Sequence, residues 1–448
     1  MRVRILAVQI LLHLDQKVSH PDRLLRTTLA RHPGMDERDR ALLSEIVYGV
    51  LRWQGRLDWH IDRLSTLKPR KISPAVRVLL RCGLYQVLML DRIPPHAAVH
   101  QTVEIAKSSQ PPYVVRFLNG VLREASRRGD HWEWPSEETD PVEHLSVTTS
   151  HPRWFVEQCV RSWGLEETRE ICRANNRVAP LSLRINPLKA DRPRVMEWLS
   201  TNGIAAEESP YLPGAVRIAG IRQDPARLPV CENGWVQVQD EASQLVSHLV
   251  APRPGERILD LCSGFGGKST HLGILMEDRG EILAVDQSAW KLEDLRENAS
   301  RQGLHILRPV RGDVLDLRPE DLGVFDRVLL DAPCSGWGAV RRKPDIKWRR
   351  HPKDSYRFSR QQKALLDHAA KFVRPGGSLV YATCTLFPEE NEEVALAFGE
   401  THGEYRVLPA EEVLPESCRS MSGGPFFRTW PHRHGVDGFF AARWTRRD

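Results

Sequence analysis

The chain has 448 residues, 41% of them apolar and 27% charged, with a formal net charge of +6. That length accommodates two or three domains, each with its own core, and the composition excludes a disordered or low-complexity protein. No run approaches the roughly 20 apolar residues of a membrane-spanning helix, and the cysteines at 82, 159, 172, 231, 262, 334, 384 and 418 form no CxxC pair. Neither a disulfide framework nor a metal site is expected, and the setting is a reducing, cytoplasmic one.

Met1 to His13 superficially resembles a leader, but Gln9, His13 and Asp15 interrupt it and no small-residue cleavage site follows, so it reads as an amphipathic core helix. Apolar residues then recur at three- and four-residue spacing through Leu24 to Ala30, Arg40 to Trp53, Pro74 to Leu90 and Ala97 to Lys107, broken at Pro33-Gly34, Pro69 and Pro94-Pro95. This predicts an all-α bundle over residues 1–134, followed by a Pro-, Glu- and Ser-rich linker. Over 143–246 the pattern is that of a small α+β module, with strands at Leu181 to Asn186 and Ala215 to Ile218 and a helix from Pro193 to Asn202. Residues 247–448 alternate strand and helix, which predicts a doubly wound α/β domain. Its strands are expected at Arg257 to Leu261, Glu281 to Val285, Arg308 to Val310, Arg327 to Leu330 and Ser378 to Tyr381, with a late strand, a candidate antiparallel one, at Gly438 to Trp444.

The first of these strands runs into a glycine-rich turn, Cys262-Ser263-Gly264-Phe265-Gly266-Gly267-Lys268, that opens a helix. Such a turn admits a ligand close to the backbone. A P-loop would need glycine at Cys262, and a dinucleotide fingerprint would need it at Ser269, so neither motif is present. The next strand ends in Asp286, about 20 residues beyond the first glycine of the turn, where a carboxylate accepts from a ribose diol. Asp313 follows the third strand, suited to an adenine amine. A nucleoside without phosphate-binding machinery points to S-adenosylmethionine.

Asp331-Ala-Pro-Cys334 follows the fourth strand, and a second thiol, Cys384, follows the fifth. Enzymes that methylate exocyclic amines commonly carry an aromatic residue where Cys334 stands. Methylating a pyrimidine at C5 instead requires a thiol, because C5 is a poor nucleophile until a thiolate adds to C6. Chemistry alone does not decide which cysteine attacks.

The segments Asp260 to Lys268, Asp331 to Gly336 and Tyr381 to Asn391 resemble those of the RNA cytosine-C5 methyltransferase family. Arg40 to Arg52, Leu84 to Leu88 and Phe117 to Arg123 resemble the NusB-like helical domain of its bacterial small-subunit ribosomal RNA methyltransferase B type, and Leu183 to Lys189 and Val238 to Ser243 resemble that type's intermediate motifs. The resemblance implies an all-α NusB-like RNA-binding domain, an α+β intermediate module and a Rossmann-like catalytic domain. It also implies Cys384 as nucleophile and Cys334 as the group assisting release, the cofactor being held by Cys262 to Lys268, Asp286, Asp313 and Asp331. Lys268 and Asp331 would lie towards the target base. The family turn usually reads Ala-Ala-Pro-Gly-Gly, so Ser263-Gly-Phe-Gly-Gly267 is a departure, expected to alter cofactor affinity.

Arg341 to Arg350 holds six basic residues and Trp348, which suits phosphates and a stacked base. Trp430 to Phe440 contains His432 and His434 but no third ligand, and is expected to be a structural loop closing the site. The expected function is methylation of cytosine C5 in 16S ribosomal RNA, with transfer RNA as the nearest rival substrate. A non-catalytic RNA-binding protein is the rival from another class.

Overall fold

The apolar periodicity of the first 176 residues folds into helices α1 (Arg2–Gln16), α2 (Pro21–Ala30), α3 (Glu37–Leu64), α4 (Pro74–Met89), α5 (Pro95–Lys107), α6 (Pro112–Arg128), α7 (Pro141–Thr148) and α8 (Arg153–Asn176) in the computed structural model, which describes residues 1–17, 19–219 and 225–448. In α1 the buried residues Val3, Ala7, Ile10 and Leu11 follow helical spacing. Helix α4 starts on Pro74, with Ser73 Oγ accepting the Val76 amide at 3.4 Å. Its buried residues, Val76, Leu79, Leu80 and Leu84 among them, form the hub of the bundle core. Arg81 of α4 is anchored by Asp58 of α3 through contacts of 2.7 and 2.8 Å.

The chain forms two compact units, residues 1–177 with 343–349, and residues 178–342 with 350–448. Helices α7 and α8 pack with the first unit. So does Lys343–Arg349, and this corrects the expectation of a basic RNA-facing loop. Lys347 is fully buried in that unit, its ammonium donating to the carbonyls of Arg52 (3.2 Å) and Ser150 (3.1 Å) and to Asn176 Oδ1 at 2.7 Å. Burial holds Lys347 well below the ordinary lysine value. The Trp348 indole donates to Leu51 O at 2.5 Å, and Arg349 pairs with Asp345 at 2.8 Å. In the second unit Arg341 and Arg342 pair with Asp437 at 2.8 and 2.9 Å. Sequence shows a cluster of charge but not its partners; here acids and carbonyls claim most of it.

The second unit begins with an antiparallel sheet of β1 (Leu181–Ile185), β2 (Ala205–Glu208), β3 (Ala215–Ala219) and β4 (Val236–Val238) in the order β2-β3-β1-β4, covered by α9 (Arg192–Thr201). After α10 (Glu241–Val250) come β5 (Arg257–Leu261), α11 (Gly267–Leu275), β6 (Glu281–Asp286), α12 (Ala289–Gln302), β7 (Leu307–Arg311), β8 (Phe325–Asp331), α13 (Asp354–Ala370), β9 (Val373–Thr383) and α14 (Glu392–Thr401). Strands β10 (Tyr405–Val407), β11 (Ser422–Gly423), β12 (Phe426–Arg428) and β13 (Phe440–Arg446) complete the sheet. Its order is β11-β12-β13-β9-β8-β5-β6-β7, with β10 beside β13; β9-β8-β5-β6-β7 are parallel and β13 runs antiparallel to β9.

The two-residue repeat of the strands feeds two cores. Leu259, Leu261, Val328 and Leu330 pack on the face covered by Leu365, Leu366 and Ala369 of α13. Ile258, Ile282, Leu329 and Val380 pack on the opposite face with Leu245 and Leu249 of α10. The chain reverses its direction of travel across the sheet between β5 and β8, so a crevice opens at their C-terminal ends. Among the described residues no helix is long and apolar enough to cross a membrane.

Candidate active site

The turn after β5 is built by backbone geometry that few residues tolerate. Cys262 has φ 62°, Gly264 58° and Gly266 76°, and a Cβ on Gly266 would come within 2.4 Å of Leu295 Cγ. Gly266 therefore meets a conformational and a steric demand at once. The Asp286 carboxylate stabilises the turn by accepting the Gly264 amide at 3.0 Å, while its other oxygen accepts the Ser288 amide at 2.8 Å. Asp313 accepts from Gln287 Nε2 at 2.8 Å and from the Leu315 amide at 3.0 Å.

Cys262, Asp286, Asp313 and Asp331 line one cavity of about 360 Å³, together with Val314, Leu315, Pro333 and Leu365. Burial pushes the Cys262 thiol up, and Asp331, Asp286 and Asp260 add to the effect, so it stays protonated. Of the remaining turn residues, Gly264 acts through its amide and Ser263 is buried. Phe265 is 46% exposed and packs edge-on against Trp290, ring centroids 5.1 Å apart, and neither ring is among the residues that line the cavity. The departure from the family turn thus places its bulk beside Trp290.

Lys268 reaches back from α11 to Asp331, Nζ to Oδ2 2.7 Å, and stands 5.1 Å from the Phe439 ring centroid. Burial works against its charge, but Asp331 more than offsets this and holds the ammonium above the ordinary lysine value. Behind it Asp260 accepts from Ser269 Oγ at 2.5 Å; burial raises its carboxyl to about 7, against the pull of that hydrogen bond.

Cys334 and Cys384, presented by the adjacent ends of β8 and β9, meet with their sulfurs 3.4 Å apart. The hydrogen bond it shares with Cys384 and burial hold the Cys334 thiol well above its ordinary value. The two loops are tied by groups that sequence reading gave no role. Buried Glu390 accepts from the Ser335 amide at 2.8 Å and Gln362 Nε2 at 3.1 Å, and Asn391 accepts from Thr383 Oγ1 at 2.6 Å and donates to Thr385 O at 3.1 Å. Arg350 donates to the carbonyls of Ser335 (2.7 Å) and Cys334 (3.2 Å). Gly338 donates its amide to Cys384 O and accepts that of Gly438, both at 2.9 Å. A Cβ on Gly338 would lie 1.8 Å from Gly438 O, and one on Gly438 would lie 2.5 Å from Leu386 Cδ2. The loop carrying Gly438, expected to close the site, is packed against it by this contact and by Phe439.

Arg184 of β1, read from sequence as part of a strand and of an intermediate motif, was given no role of its own. Fully buried, it donates to Gly267 O (2.7 Å), Thr270 Oγ1 (3.0 Å), Gln239 Oε1 (2.5 Å) and Gln302 Oε1 at 2.7 Å. With only neutral acceptors around it, burial and nearby Arg301 lower it to about 9. Its guanidinium fork locks the small sheet to the start of α11.

Three family models match the chain: the NusB family over residues 1–127, the ferredoxin-like domain of RsmF/B-like methyltransferases over 151–223, and 16S rRNA methyltransferase RsmB/F over 247–445. The chain is 37% identical over 445 residues to the probable ribosomal RNA small subunit methyltransferase B of Bacillus subtilis (strain 168), covering 98% of this chain and 97% of that one. Against the corresponding protein of Synechocystis the identity is 35%, with 98% of each chain covered. The crystal structure of PH0851 superposes with a TM-score of 0.83 at 29% identity, covering 99% of this chain and 98% of that chain. Likeness of this extent leaves no region of the domain order unaccounted for, and the chain belongs to the ribosomal RNA small subunit methyltransferase B family.

Proposed function

We propose that the protein methylates C5 of a cytosine in 16S ribosomal RNA in the cytoplasm, through a covalent bond between Cys384 and C6 of the base. The observation that carries this reading is the contact between two thiols, 3.4 Å apart, beside a Lys268–Asp331 ion pair at the crevice end of the sheet. S-adenosylmethionine is the methyl donor, and it supplies an electrophilic methyl group. The cavity of about 360 Å³ fits it: Asp286 offers acceptors for a ribose diol, Asp313 for an adenine amine, and Val314, Leu315 and Leu365 offer apolar walls.

In this reading the Cys384 thiolate adds to C6, which moves electron density to C5. After C5 is methylated, a base removes its proton and the C6–S bond breaks, returning the thiolate. Cys334, held as a thiol, is the natural partner for that release. Asp331, fixed by Lys268, presents a carboxylate to the exocyclic amine of the cytosine. The base must leave its stack to reach this site, so an unpaired or extrudable cytosine is expected.

Labelled methyl transfer to undermethylated 16S transcript and to transfer RNA tests the proposal. Incorporation is expected on 16S RNA, with 5-methylcytosine as product. Transfer only to transfer RNA would remove the substrate assignment, and methylation at the exocyclic amine would remove the mechanism. Asp286→Ala is expected to weaken S-adenosylmethionine binding by at least about tenfold, since a charge-assisted hydrogen bond contributes roughly 1.5–3 kcal/mol. Isothermal titration of cofactor into folded variant checks it; unchanged affinity would exclude Asp286 from the cofactor site.

A further inference from the structure

Within the helical unit, α5 and α6 border a groove of about 590 Å³ far along the chain from the thiols. One wall carries His96, His100 and Lys107 and the other Arg116, Asn119 and Arg123, over a floor of Val99, Val103 and Val115. Glu104 is the single acid among its lining residues, and its carboxylate is bonded to Lys107 at 2.7 Å. Lys107, Arg116 and Arg123 against that one acid leave the groove a net positive charge.

We propose that this groove holds the sugar-phosphate backbone of the RNA substrate, an inference that rests on the reading of the protein as an RNA methyltransferase. Arg116 and Arg123 are exposed and make no ion pair or hydrogen bond among the described residues, whereas Arg127 and Arg128 further along α6 both pair with Glu124. Spaced by two helical turns, Arg116 and Arg123 leave the helix about 10 Å apart along its axis, a spacing that lets their guanidiniums reach separate phosphates of one strand.

Gly120 lies between them on the same face. It is exposed, and a Cβ there would meet nothing within 4 Å. A glycine in a helix interior costs stability relative to alanine, and no packing within the protein requires this one. Close passage of a ligand backbone does. Tyr113, 67% exposed one turn before Arg116, extends the same stripe with an aromatic face on which an unpaired base can stack. Free charge, an open glycine and an exposed ring along one helix face favour RNA over a protein partner.

The test uses the full-length protein and a 16S transcript, with Arg116→Ala/Arg123→Ala compared against Arg70→Ala/Lys71→Ala, which removes equal charge from another exposed part of the same unit. The first pair is expected to raise the RNA Kd and the KM for methyl transfer at least about tenfold, to lower the salt slope of binding by about two, and to leave kcat within about twofold. The second pair is expected to bind as wild type does. Gly120→Met, which changes no charge, is expected to weaken RNA binding at least about threefold while its helical content is retained. Equal losses in both double variants would mean diffuse attraction and overturn the groove, as would an unchanged Kd in the first pair and in Gly120→Met. If wild type binds 16S RNA but transfers no methyl group to it, the substrate reading fails while the binding comparison still decides the groove.

Discussion

Cys384→Ala is expected to abolish methyl transfer, a loss of more than about a thousandfold, while S-adenosylmethionine still binds. C5 of cytosine becomes nucleophilic only while a sulfur is bonded to C6, so no neighbouring group substitutes for the lost atom. Cys334 is unsuited to take over: burial and its contact with Cys384 hold it as a thiol. The cofactor cavity draws its lining from Cys262, Asp286, Asp313 and Asp331, and Cys384 is not among the residues that line it. Labelled transfer to 16S transcript, paired with a titration of cofactor, separates the two effects. A variant retaining a tenth or more of wild-type turnover would exclude Cys384 as nucleophile.

Cys334→Ala has the opposite signature. Attack on C6 and methylation proceed, but release slows, and a protein–RNA adduct accumulates that survives denaturing electrophoresis. Its amount should approach one RNA per protein with cofactor present. The substitution removes only the sulfur; the loop remains tied by Gln362 to Pro333 O at 2.9 Å and by Glu390 to the Ser335 amide at 2.8 Å. If the roles were exchanged, Cys384→Ala would trap the adduct and Cys334→Ala would be silent in attack. The two variants therefore assign both sulfurs, and normal turnover by Cys334→Ala would remove its role in release.

The positions of the site's acids and thiols were legible because each stands where an apolar run stops. Val328 to Leu330 could only be a buried strand, so Asp331 and Cys334 had to emerge at its end, and the same reasoning places Asp286 after Ile282 to Val285. What ties those loops together was not legible. Glu390 lies in a Pro-Glu-Glu-Asn segment whose composition suits an exposed turn, and its burial follows from contacts with Ser335 and Gln362, remote in sequence. Arg184 likewise stands in a strand and a motif that say nothing of Gly267, Thr270 and Gln302, the distant acceptors around it. The basic run from Arg341 misled for the same reason: its charge is local, but Asp437, Asp240 and the carbonyls of Arg52 and Ser150 that satisfy it are distant along the chain.

Gly338 and Gly438 bear no reactive group, yet each backbone occupies space that a side chain on or beside the other would need. Enlarging either cannot be relieved by trimming the other, since both already lack a side chain. In a saturation mutagenesis screen these two positions would rank with the thiols, and intolerance there would measure clearance between loops. A tolerance map would in that way draw the active centre one layer wider than its chemistry.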